Sequence, residues 1–273
     1  MWTAPNGNIY LLLGLDTNAV SEVLKHPQIE GKNFLLRYGP KEHAPCFSII
    51  TVAELYRKPS VYQLFLDFFS VYSCFILKGG DQLFEDERNA YPNPFQVEGI
   101  LNAFSSTGSS DSYNLRKMMT TLFSDPKTHQ FVQAWDKTQQ STLQAMLTLK
   151  PNFTVSKPGA NAQDAKRFVQ KVGSQQIRNR MGDVHRTQIE PSSMPNIHHF
   201  PSLKLALYTT YYRLYDEQRK TEPQDVADIL ISASVPYLDV FITEKFQAMI
   251  LREVQNQDNF IKHVEIKTLK DLR

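Results

Sequence analysis

Ile9-Tyr10-Leu11-Leu12-Leu13-Gly14-Leu15 is an unbroken apolar run that stops at Asp16-Thr17-Asn18. A run of this length without alternation predicts a strand buried on both faces, the kind found inside parallel sheets. Thr17-Asn18 then offers helix-capping chemistry, and Ala19 to Lys25 predicts a short helix stopped ahead of Pro27. Working outward, Pro45 to Ile50 is a second short apolar run. Thr51-Val52-Ala53-Glu54 follows it at capping-box spacing and opens a helix towards Tyr56. Strand, helix, strand, helix is the grammar of an α/β fold.

From about residue 79 to 202 that grammar gives way to helical patterns near Pro94–Phe104, Leu115–Phe123, Thr128–Leu149 and Ala162–Met181. Turn-rich segments, such as Ser105–Asp111 and Glu190–Pro201, lie between them. Leu203 to Lys220 predicts a further helix. Pro223 suits a first helical turn before Val226 to Ser234, and Pro236 ends that segment. Asp239-Val240-Phe241-Ile242-Thr243 then reads as another buried strand, Glu244 to Val254 as a helix and Val264 to Ile266 as a last short strand. The expected organisation is a discontinuous α/β core, residues 1–78 and 203–273. A mainly helical insertion, residues 79–202 and basic in its second half, interrupts it.

Composition excludes a disordered or fibrous chain: 41% of the 273 residues are hydrophobic and 21% are charged. The net charge of +2 hides segregation. Residues 150–220 hold 12 lysines and arginines against 5 acids, whereas the flanking parts are slightly acidic. The surplus gathers at Lys166, Arg167, Lys171, Arg178, Arg180 and Arg186, then Arg213, Arg219 and Lys220. Arg167, Lys171 and Arg178 fall on one helical face, which suits neutralisation of a phosphate backbone. Tyr208, Tyr211, Tyr212 and Tyr215 lie nearby and suit either base stacking or a packed core.

Cys46 and Cys74 sit in apolar surroundings without metal-ligand spacing, as in a reducing compartment. The start lacks the features of a signal peptide. The most apolar stretch, Val61 to Leu77, carries Gln63 and Asp67, is short for a membrane span and predicts a buried helix. A cytoplasmic protein with no membrane partner is expected. His185, His198 and His199 fit no zinc pattern, and neither a P-loop nor a nucleophile elbow is present.

The acids carry the chemical signal. In an open parallel sheet, ligands bind outside the carboxyl ends of the strands. Asp16 and Glu244 directly follow predicted strands, Glu54 lies one short turn beyond another, Asp228 lies on the preceding helix and Asp239 starts a strand. Carboxylates gathered from separate segments repel one another unless a hard divalent cation such as Mg²⁺ or Mn²⁺ joins them. Such a cation activates water for phosphodiester hydrolysis.

Asp16-Thr17-Asn18, Glu54-Leu55, Asp225-Val-Ala-Asp228 and Asp239-Val-Phe-Ile-Thr243 together resemble a PIN domain over roughly residues 8–78 and 221–267. The resemblance implies a three-layer α/β/α fold with a mostly parallel central sheet. It also implies a Mg²⁺- or Mn²⁺-dependent nuclease, RNA rather than DNA being the expected polymer, as in the toxins of bacterial toxin–antitoxin pairs. Carried over residue by residue, it makes Asp16, Glu54 and Asp228 the first three acids, with Glu244 or Asp239 the fourth. Asn18, Thr243 and Asp225 become accessory residues. Lys166, Arg167, Lys171, Arg178, Arg180 and Arg213 are the candidate nucleic-acid contacts. A toxin or defence effector would have an inhibitory or regulatory protein partner, and a homodimer is a further state open to it. Glu244-Lys245, where an Asp is usual, keeps open a catalytically degenerate nucleic-acid-binding or assembly module. A structure-specific DNA nuclease shares the same acids.

Overall fold

The computed structural model describes residues 1–3, 7–91, 93, 97–101, 114–149, 162–180, 196–214 and 220–272. The fold is α/β with a mostly parallel central sheet. The strands are β1 Trp2–Thr3, β2 Ile9–Leu15, β3 His43–Ser48, β4 Phe75–Leu77, β5 Val240–Thr243 and β6 Glu265–Thr268. In chain order the α-helices are α1 Thr17–Lys25, α2 Lys32–Arg37, α3 Ile49–Tyr56, α4 Pro59–Phe69, α5 Gly80–Ala90 and α6 Leu115–Ser124. They continue as α7 Pro126–Leu149, α8 Ala162–Arg180, α9 Pro201–Leu214, α10 Gln224–Ser232 and α11 Lys245–Gln257. Two compact units result. One comprises Met1–Lys78, Glu98–Lys137 and Tyr237–Arg273, the other Gly79–Val97 and Thr138–Pro236.

The first unit holds the whole sheet, in the order β4-β3-β2-β5-β6, with β1 antiparallel against β2. The chain leaves β2 through β3 to β4 on one side and returns through β5 to β6 on the other. The order therefore reverses between β2 and β5, the switch point where open α/β sheets bind ligands. Register fixes this junction: Leu13 lies opposite Val240 and Leu15 opposite Ile242. Gly14 is required here, because a Cβ on it would collide with Leu238 and stand 2.8 Å from Phe241 Cδ2. Phe34, Phe47, Phe65, Phe69 and Tyr72 form a buried aromatic centre, with the Phe47 and Phe65 rings 4.9 Å apart. Each such ring contributes roughly 1.5–3 kcal/mol by leaving water. Cys46 and Cys74 lie in or beside this core, and burial pushes both thiols well above their usual range.

In the second unit α9 packs against α5, α8 and α10. It buries Leu205, Leu207, Tyr208, Tyr211 and Leu214. Its first turn is held by the buried carboxylate of Glu87, which accepts hydrogen bonds from the Ser202 amide and hydroxyl, each at 2.8 Å. Tyr208 and Tyr211 are therefore core residues, with Tyr211 against Phe168; Tyr215 lies outside the described residues.

Several expectations change. The apolar stretch Val61–Leu77 is not one helix but α4 and β4, divided by a turn at Ser70–Ser73. Of the helix expected over Pro94–Phe104, residues 97–101 are non-helical, and Ile100 bridges to Leu77 instead. Its remaining residues lie outside the described residues, as do Ser105–Asp111, His185, Arg186 and Arg219. The sequence pattern does not predict the helices α2 and α5 or the strand β1. Among the described residues no helix is long and apolar enough to cross a membrane.

Candidate active site

Three parallel strands deliver three acids to one edge of the sheet. Asp16 follows β2 directly, Glu244 follows β5 directly, and Glu54 lies in α3, the helix that β3 enters. Asp16 is the centre of the arrangement. It caps α1, its Oδ1 accepting from the Ala19 amide at 2.7 Å. Its Oδ2 accepts from the Thr243 hydroxyl and, at 3.2 Å, from the Glu244 amide. The strand pairing continues through the Asp16 amide, which donates to the Ile242 carbonyl at 3.3 Å. A single side chain thus ties the ends of β2 and β5 together.

This carboxylate is 3% exposed, and among the described residues no lysine or arginine pairs with it. Burial drives its pKa up to about 6 against the opposing pull of the three hydrogen bonds, and Glu244 adds a smaller upward push. A buried carboxylate without a countercharge is unfavourable.

Glu54 acquires a different neighbour from the one its spacing suggested. The cap of α3 is Ser48, whose hydroxyl oxygen accepts from the Thr51 amide at 2.9 Å. Glu54 is therefore in the second turn of α3, relieved of any capping duty towards Thr51, and accepts a hydrogen bond from the Thr17 hydroxyl. Thr17 adjoins Asp16, so the two acids meet through it. Sequence reasoning missed Thr17 as a link, although its place directly behind the first acid was the available signal. Asn18 is exposed on the first turn of α1.

Asp239 is not brought to this edge. It precedes β5, four residues before Thr243, which is about 13 Å along a strand. Its Oδ2 accepts from the Leu12 amide at 2.8 Å and its Oδ1 lies 2.7 Å from the Met1 amino group. Parallel strands place all their amino ends on one edge and all their carboxyl ends on the other, which is why an acid at a strand start cannot join acids at strand ends.

Asp225 and Asp228 belong to α10 of the second unit, where both pair with the Arg213 guanidinium, at 2.7 and 2.8 Å. Asp225 is fully buried and also accepts from the Glu222 amide at 2.8 Å. Arg213, expected among the nucleic-acid contacts, is 0% exposed and serves as the counter-ion of these two acids. Arg180 pairs with Asp81 and lies over the Phe84 ring at 4.4 Å. Lys166, Arg167, Lys171 and Arg178 remain exposed along α8, with Arg167 3.5 Å from Asp164. His198 Nδ1 lies 2.7 Å from the Lys204 amine, and the His199 ring meets Tyr91 at 4.9 Å.

Among the described residues no three His, Cys, Asp or Glu side chains form a ready metal-ligand group. Mg²⁺ nevertheless needs only one or two carboxylates, completing its shell with water and substrate phosphate. Asp16 and Glu54, linked through Thr17, with Thr243 and the Glu244 amide on Asp16, are the residues that could supply one or two such oxygens. No family model matches the chain, and no curated protein or solved structure matches it either.

Proposed function

We propose that this protein is a Mg²⁺- or Mn²⁺-dependent endoribonuclease of the PIN type, cutting phosphodiester bonds at the carboxyl edge of the β3-β2-β5 sheet. The observation that carries the reading is Asp16, buried beyond the switch point, gripped by three donors and, among the described residues, paired with no lysine or arginine. Asp16 and Glu54 would hold the cation, with Glu244 beside them. The bound ion would supply a hydroxide nucleophile and neutralise charge on the phosphate. Thr243 and the Glu244 amide orient the Asp16 carboxylate, and Thr17 orients Glu54. The exposed cations of α8, in the second unit, form a surface of their own that would bind a nucleic-acid backbone in a salt-dependent, sequence-independent way. A role as a toxin or defence effector, with an inhibitory protein partner, belongs to the same proposal.

The test is cleavage of single-stranded RNA in Mg²⁺ and Mn²⁺ by the wild type and by Asp16→Asn. The variant should lose at least about a hundredfold in kcat/KM, the scale of removing a central metal-site or charge-stabilising group. Undiminished cleavage by Asp16→Asn would sink the mechanism. RNA binding without any cleavage or Mn²⁺ response in the wild type would instead identify a non-catalytic module, and preferential cutting of branched DNA a structure-specific nuclease.

A further inference from the structure

An RNA strand approaching Asp16, Glu54 and Glu244 meets charge of its own sign, so the edge needs a cation placed to receive phosphate. Arg57 occupies such a place. It caps the C-terminal end of α3 one turn beyond Glu54 and is drawn electrostatically to that acid. Its neighbours hold the end of α3 in position: Tyr56 stacks on Phe123 at 4.0 Å and meets Tyr62 at 5.1 Å, with His129 edge-on at 6.3 Å.

The guanidinium is already engaged by an anion. Nη1 donates to Asp136 Oδ1 at 2.6 Å and Nη2 donates to Asp136 Oδ2, a two-pronged pair that holds the Asp136 carboxyl below the usual carboxylate range. The fork that accepts a carboxylate in this way accepts a phosphate equally well. Both side chains are largely exposed, at 42% and 59%. An ion pair this exposed to water contributes little to the fold, so a polyanion can replace Asp136 without disturbing it.

We propose that Arg57 binds the RNA phosphate next to the one cut, and that Asp136 is a stand-in anion which occupies Arg57 until RNA displaces it. This rests on the endoribonuclease reading above. The side chain is assigned to substrate binding, not to the bond-breaking step.

The experiment measures RNA cleavage for the wild type, Arg57→Gln, Arg57→Lys, Asp136→Asn and the Arg57→Gln/Asp136→Asn double variant. Binding of the same RNA by each substitution is measured in the uncleaving Asp16→Asn background. Arg57→Gln should raise KM and Kd about tenfold, the scale of one charge-assisted hydrogen-bonded contact, with kcat held within about twofold. It should also flatten the salt dependence of binding by about 0.7 in log–log slope, the value for one phosphate contact on a single strand. Arg57→Lys should fall between, keeping the charge without the fork. Asp136→Asn should tighten binding about threefold by freeing the guanidinium, and the double variant should lose that gain. If the ion pair serves only to fix α7, both substitutions lower thermal stability and neither changes RNA affinity. That result, or weaker binding by Asp136→Asn, overturns the proposal. Absence of cleavage by the wild type overturns the nuclease reading alone, since the opposite responses of Arg57 and Asp136 would still show in binding; absence of both overturns the two together.

Discussion

Asp16 sets two demands against each other. With its pKa raised from 3.8 to about 6 by burial, the carboxyl is more comfortable protonated in the folded chain than in the unfolded one. Its contribution to stability is therefore complete below pH 4 and disappears as pH rises through about 6, because the folded state must then carry a buried anion. In metal-free solution, thermal unfolding should show a loss on the order of 1–3 kcal/mol across that interval. Asp16→Asn should flatten this trend and raise the melting temperature at neutral pH, alongside the loss of cleavage proposed above. Saturating Mn²⁺ should stabilise the wild type and not the variant. A variant that melts lower than the wild type at neutral pH in EDTA would contradict this account of the carboxylate.

At the scale of elements, the site depends on how each strand hands over to its helix. Ser48 caps the start of α3, the helix that carries Glu54. Ser48→Ala should destabilise the fold by about 1 kcal/mol, the worth of a helix cap, and reduce cleavage beyond what that loss explains; chemical denaturation beside kinetics separates the two. The strands β2 and β5 were legible because burial on both faces leaves a continuous apolar run, and Asp16 and Glu244 follow from where those runs stop. Less was legible where runs merge. Val61–Leu77 is equally apolar throughout, and nothing in hydropathy alone divides α4 from β4. The short α2 spans too few residues for a periodic signal, and α5 buries only Leu83, Phe84 and Glu87 along a stretch rich in charge. The partner of an acid was also hidden: Glu54 sits three residues after a threonine that could have capped with it, yet a serine six residues before Glu54 does the capping. Asp239 could have been set aside from topology, as an acid at the start of a strand.

For the molecule as a whole, the near-zero net charge conceals two kinds of basic residue that sequence could not separate. Arg213 is interior, committed to Asp225 and Asp228, whereas Lys166, Arg167, Lys171 and Arg178 face solvent. Arg213→Met should cost about 3–5 kcal/mol in unfolding free energy, because it takes the guanidinium from two acids at once. Charge-neutralising substitutions on α8 should leave stability within about 0.5 kcal/mol and weaken RNA binding most at low salt. Unfolding curves and binding isotherms on the same variants would tell an interior cation from a surface one.

The hydroxyl that grips Asp16 belongs to a residue 227 positions later in the chain. On the ribosome, β2, β3 and their helices emerge long before β5 exists to lie beside them. Long-range parallel pairing of this sort forms late and slowly. The Asp16 carboxylate accordingly spends most of the chain's synthesis without the strand that orients it, so the candidate site is assembled last. Under the proposed endoribonuclease function, a cell would gain from that order, since the messenger being read would itself be a substrate within reach.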